Sequence, residues 1–184
     1  MNKKTPIIFL DIDGVLATSK QYFMNSANFM NKNEWAKELK VPYPFDSKCV
    51  KIFNEILTKT GAEIVLSSDW KQHWNLDQLD IIFKNNGVIK SPVDITTDEM
   101  VSMSSTEKNR SHQILTYIKK NKPKRCSIID DLHIISFINN DDIKNCVIKT
   151  GSAEGIKQVG VKDKIIKTLT EDLRKNKKTD LDIK

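Results

Sequence analysis

Cysteine is scarce: the 184 residues contain only Cys49, Cys126 and Cys146, which are odd in number and far apart. That excludes a disulfide framework and a zinc knuckle, and leaves reduced, buried thiols in a reducing compartment. Long apolar runs are also missing. The opening MNKKTPIIFL has the basic start and apolar stretch of a secretion signal, but Asp11 cuts that stretch well short of the usual length. No other run is long enough to span a membrane, so a soluble, cytoplasmic chain is expected. Aromatic residues are absent from the lysine-rich patches KKNKPKR (119–125) and RKNKK (174–178). Although the net charge is +6, these patches therefore lack the interleaved rings of a nucleic-acid stacking platform. They read instead as solvated connections, the first joining a helix to a strand and the second ending a helix. No internal repeat is visible.

What is there is an α/β pattern in a chain of single-domain size, with enough hydrophobic residues (39%) to cover one core. Short runs rich in Ile and Val at 6–10, 62–66, 126–129 and 146–149 alternate with helical patterns, as in a parallel sheet covered on both faces. Asp46 or Ser47 can cap a helix that presents Val50, Phe53, Ile56 and Leu57 on one face and stops at Gly61. Further helices are expected near 76–84 with Gly87 as the stop, 110–120 with Ile114, Leu115 and Ile118, and 162–174 with Ile165, Ile166, Leu169 and Leu173. Residues 17–45 mix Asn and Lys with Tyr22, Phe23, Phe29, Trp35, Tyr43 and Phe45. They are too few for a core of their own and are expected to form a flap over the end of the first strand. The polar stretch at 91–109 carries no assignable pattern, and 175–184 is expected to be a flexible basic tail.

Ligands of an open parallel sheet bind beyond the carboxyl ends of its strands. The first strand ends in Asp11-Ile12-Asp13-Gly14, the second in Ser67-Ser68-Asp69-Trp70 and the third in Asp130-Asp131. Acids and hydroxyls thus gather at one edge, where mutual repulsion calls for a hard cation, and Mg2+ suits a few carboxylates plus a substrate phosphate. A buried strand holds Asp11 rigidly, Asp13 projects to the same side two residues on, and Gly14 lets the backbone turn away. A calcium-binding loop starting at Asp11 would need glycine at position 16 and glutamate at 22, where the chain has Leu16 and Tyr22, so that alternative fails.

The ordered motifs IIFLDIDGVL, EIVLSSDW, a helix beginning near Arg110, and SIIDD resemble the haloacid dehalogenase (HAD) superfamily of phosphohydrolases. More narrowly, DIDGVL, IVLSSDWK, RSHQIL, IIDDLH and VIKTGSAEGI resemble the small HAD domains associated with RNA-repair (Swiss Army Knife) proteins. The resemblance implies a Rossmann-like core with a mainly parallel sheet and only a small flap. It also implies roles. Asp11 forms an aspartyl-phosphate, and Asp13 acts as general acid and then general base. Ser67 binds the phosphoryl oxygens, as does Arg110 with Lys108 as runner-up. Mg2+ is held by Asp11, the Asp13 backbone carbonyl and Asp130, with Asp131 assisting or holding a loop. His133 is a neighbour rather than a catalyst, and Trp70, His73 and Trp74 either line the cleft or pack in the core.

A large lid would enclose a small metabolite, so its absence favours an open site for a phosphorylated macromolecule. Phosphotyrosine protein is the favoured substrate and a polynucleotide 5′- or 3′-phosphate the alternative. Phosphotransfer to an acceptor other than water uses the same residues. The competing class is a phosphate-binding interaction module without turnover.

Overall fold

The run Ile7–Leu10 becomes the central strand β1, and the remaining elements are arranged around it. The computed structural model describes residues 5–101 and 104–171. After β1 come three short helices, α1 (Ser19–Tyr22), α2 (Ser26–Lys32) and α3 (Glu34–Leu39). Then follow α4 (Ser47–Thr60), β2 (Glu63–Leu66), α5 (Leu76–Asn85), β3 (Asp94–Ile95), α6 (Thr106–Asn121), β4 (Cys126–Asp130), α7 (Asp141–Lys144), β5 (Val147–Lys149) and α8 (Val161–Thr170). The strands form one parallel sheet in the order β3-β2-β1-β4-β5, giving the α/β, Rossmann-like core that the sequence pattern predicts. The order reverses direction between β1 and β4, where an open sheet of this kind forms its ligand crevice.

Strand alternation divides the core. Ile8, Leu10, Ile64, Leu66, Ile129 and Ile148 pack with Phe53 and Ile56 of α4, Ile82 and Phe83 of α5, and Ile165 and Leu169 of α8. Ile7, Phe9, Val65 and Ile128 point the other way, to Ile114 and Tyr117 of α6. Since burying one such side chain is worth about 1.5–3 kcal/mol, these two layers outweigh exposed ion pairs such as Lys84–Asp80, each worth about 1 kcal/mol or less. Helix α4 begins where the sequence indicates, with the Asp46 carboxylate accepting from the Lys48 and Cys49 amides, and ends at Gly61.

Three boundaries differ from the sequence expectation. Strand β3 emerges from the unassigned 91–109 stretch as an edge strand of two residues, too short and too polar to show an apolar run. Helix α6 starts four residues before Arg110, because Ser105 caps it while its polar first turn shows no periodicity. Helix α8 ends at Thr170, short of 174; the end of the expected helix and the basic tail lie outside the described residues. KKNKPKR does join a helix to a strand, with Lys122 turning the chain in the left-handed conformation before β4.

The segment after β5 braces the loop after β1. Thr150 Oγ1 donates to the Gly14 carbonyl (2.8 Å) and the Ile156 amide to the Val15 carbonyl (3.2 Å). Gly155, at φ +59°, sits so close that a Cβ there would overlap the Val15 carbonyl oxygen. Gly155→Ala is therefore expected to destabilise the fold by roughly 2–4 kcal/mol, read as a lower urea midpoint; an unchanged midpoint would show that this brace does not hold the loop.

Candidate active site

The parity that builds the core also aims the strand ends. Asp11 continues the side of β1 occupied by Ile7 and Phe9, Ser67 that of Val65, and Asp130 that of Ile128, so all three face α6. Arg110, one turn into α6 and buried, reaches all of them. Its guanidinium lies 3.2 Å from Asp11 Oδ1 and 2.9 Å from Asp130 Oδ2, donates to the Ser67 carbonyl, and pairs with Asp69 Oδ1 at 2.9 Å. Lys108, the other candidate at this position, is exposed in the first turn of α6.

Buried like charges set the electrostatics. Burial, and then the neighbouring Asp130 carboxylate, push Asp11 well above the usual carboxylate range against the opposing pull of Arg110. Asp130 is pushed up to about 6, chiefly by burial, again with Arg110 opposing. Arg110 itself is held more firmly protonated: burial works against its charge, but Asp11, Asp130 and Asp69 overcome that. Asp11 and Asp130 together with half-buried Asp131 place three carboxylate oxygens within 4.8 Å of one another. One guanidinium does not neutralise three acids, and an all-oxygen donor set of this size fits a hard divalent cation. Gly14, at φ +71°, is what lets Asp131 come close, since a Cβ there would overlap the Asp131 carboxylate.

Ser67 Oγ is buried and has no hydrogen-bond partner among the described residues. Such a hydroxyl beside Asp11 has its donor free for an incoming oxygen, whereas the neighbouring Ser68 hydroxyl helps favour the ionised form of Asp11. Asp13 stands apart from the three-acid cluster. Its carboxylate accepts from Tyr43 Oη (2.9 Å) and Trp70 Nε1 (3.0 Å), and burial raises its pKa while these two hydrogen bonds pull it down.

Over residues 7–161 the chain matches the family described as the HAD domain in Swiss Army Knife RNA repair proteins. The chain belongs to this family. No curated protein and no solved structure matches it.

In this HAD domain Trp70, His73 and Trp74 line a cleft of about 470 Å³ with Asp13 and Tyr43, and Trp70 also packs in the core. His133 is exposed at the start of a 3-10 turn. The sequence reading placed Tyr43 only among the flap aromatics and Ser68 only among the strand-end hydroxyls, and gave Lys71 no role of its own. Buried Lys71 donates to Thr96 Oγ1 (3.0 Å), the Thr97 carbonyl (2.6 Å) and Gln113 Oε1 (2.9 Å), which ties the turn carrying Asp69 and Trp70 to α6. Only the direct succession of Lys71 after SSDW could have hinted at this.

Both buried acids have folded-state values above that of an unfolded carboxyl group. The protons they retain stabilise the metal-free fold fully below about pH 4, and for Asp130 this contribution is lost as pH rises through about 6. In chelator the melting temperature is expected to fall between about pH 4 and pH 7, with a shallower fall in Asp130→Asn. Parallel profiles for variant and wild type would show that burial does not control this site.

Proposed function

We propose that this HAD domain is a Mg2+-dependent phosphomonoester hydrolase working through an aspartyl-phosphate, on a phosphate carried at the end of a nucleic acid. The observation that carries the reading is the contact of Asp11 with Arg110 at the end of the central strand, beside the unpartnered hydroxyl of Ser67. A phosphate entering here meets a carboxylate on a strand that cannot recoil, with a guanidinium and a hydroxyl placed to take its oxygens.

The steps follow from these positions. An Asp11 oxygen attacks phosphorus in line as the bond to the leaving oxygen breaks, and Asp13 donates a proton to that oxygen. Asp13 then removes a proton from water, which attacks phosphorus and releases phosphate and the free Asp11 carboxylate. Burial favours the protonated form of Asp13, as the first of these steps requires. Arg110 and Ser67 hold the phosphoryl oxygens throughout, while exposed Lys108 takes no part. The clustered carboxylates of Asp11, Asp130 and Asp131 would hold Mg2+, with the Asp13 backbone carbonyl as the further ligand that the family resemblance implies, and the ion would supply positive charge to offset repulsion between acids and phosphate.

The substrate follows from what covers the site. The 17–45 insertion contributes three short helices rather than a large lid, leaving Asp13 on an open cleft. An open cleft suits a phosphate projecting from a macromolecule. Phosphotyrosine protein and a polynucleotide end fit that openness equally, and the family's description, which places such domains in RNA repair proteins, favours the polynucleotide.

Phosphate release from 5′- and 3′-phosphorylated oligonucleotides, with phosphotyrosine and phosphoserine peptides and sugar phosphates for comparison, tests the whole reading. Release from an oligonucleotide is expected, reduced by ~10³-fold or more in Asp11→Asn and by ~10²-fold in Ser67→Ala, and abolished by chelator. Equal activity in wild type and Asp11→Asn would remove the nucleophile, turnover in chelator would remove the metal, and release from phosphotyrosine alone would redirect the substrate. Mg2+ is also expected to raise the melting temperature more at about pH 7.5 than at about pH 5, because it binds the ionised carboxylates; no shift at either pH would argue against the metal site.

A further inference from the structure

We infer that the aromatic cleft beside Asp13 is a base-stacking subsite, which receives the nucleobase next to the scissile phosphate of a single-stranded nucleic-acid end. The inference rests on the phosphohydrolase reading and adds what holds the leaving group.

Four rings line the cleft, and for three of them, Tyr43, Trp70 and Trp74, the protein uses the polar atom. Tyr43 Oη and Trp70 Nε1 both donate to Asp13, and Trp74 Nε1 donates to the Leu39 carbonyl (2.8 Å). The rings are therefore fixed in orientation, and what remains to offer a ligand is their hydrocarbon surface. They are tilted against one another rather than stacked flat: Trp70 and Trp74 lie 4.7 Å apart at 43°, and Tyr43 and Trp70 lie 6.0 Å apart at 61°. Of the indoles, Trp70 is almost wholly covered, whereas Trp74 is only half-buried and carries the exposed His73 ring edge-on at 5.5 Å.

Position and charge decide the ligand. Asp13 lines the cleft, so the group occupying the cleft is attached to the oxygen that Asp13 protonates. The rim is polar, with exposed Lys40, His73 and Asp69. A phenol ring has no edge groups for such a rim, whereas a nucleobase has donors and acceptors at its edge, and the adjoining phosphodiester suits Lys40. A volume of about 470 Å³ lies in the ordinary range for a small-ligand site, ample for one base and its sugar. The absence of rings from the lysine patches therefore does not exclude stacking, because the platform is assembled elsewhere from the flap and the turn after β2.

The test compares a phosphorylated oligonucleotide with the same oligonucleotide carrying an abasic terminal residue. Wild type is expected to hydrolyse the intact end with a KM about tenfold below that for the abasic end. Trp74→Ala should erase this preference and Trp74→Phe should keep most of it, with the discrimination read in KM rather than kcat. Binding is followed separately in Asp11→Asn by quenching of tryptophan fluorescence, with abasic and phosphotyrosine-peptide ligands alongside. If no substrate turns over but the intact end still quenches more tightly than the abasic one, the stacking site stands and the phosphohydrolase reading fails. Equal KM and equal binding for intact and abasic ends would overturn the subsite, as would a Trp74-dependent preference for the phosphotyrosine peptide.

Discussion

The burial of Asp11 and Asp130 at adjacent strand ends, with Arg110 between them, is the constraint on which the rest of the structure depends. Isolated carboxylates do not stay ionised in such a place, and breaking a buried pair by removing one partner typically costs about 3–5 kcal/mol. Arg110 must therefore arrive accurately, which fixes α6 against the sheet through Phe9, Ile114 and Tyr117. Lys71 then secures the turn after β2 to the same helix, and Asp69 takes the far side of the guanidinium. The packing of one helix and the charge balance of the site are a single problem with one solution.

Strand parity explains why so few residues suffice. Because successive side chains on a strand alternate, a polar residue two positions past an apolar one on the α6 side must point to that side of the crevice. Asp11, Ser67 and Asp130 inherit their direction from Phe9, Val65 and Ile128. The edge that carries the candidate site needs no long loops to collect its groups. Backbone brackets such as Thr150 to Gly14 only have to keep the first loop from drifting.

Much of this was legible in the chain because its signals are local. Four of the five strands are short Ile- and Val-rich runs, and α4 carries both a capping acid and a stopping glycine. Asp11, Asp130 and Asp131 could be read as a cluster because they terminate two such runs, whereas the preference for Arg110 over Lys108 came from the family's motif pattern. What stayed hidden was long-range or nearly featureless. Strand β3 is two residues at an edge, and the start of α6 rests on one serine cap. The partnership of Tyr43 with Asp13 spans 30 residues and leaves no periodic trace. The flap aromatics suit a phenol ring and a base alike, so the chain alone did not separate phosphotyrosine from a polynucleotide end.

One of those hidden contacts has a dynamic implication. Tyr43 follows the three short helices of the insertion, yet its hydroxyl holds the carboxylate that would exchange protons with substrate. The insertion is thus wired to acid strength as well as to shape: a displacement that loosened the Tyr43 bond would weaken one of the two hydrogen bonds favouring ionised Asp13 and shift it toward its protonated form. On the proposed reading, a nucleic-acid end pressing on this small cover would register at Asp13 as a change in proton affinity, without any hinge or closing domain.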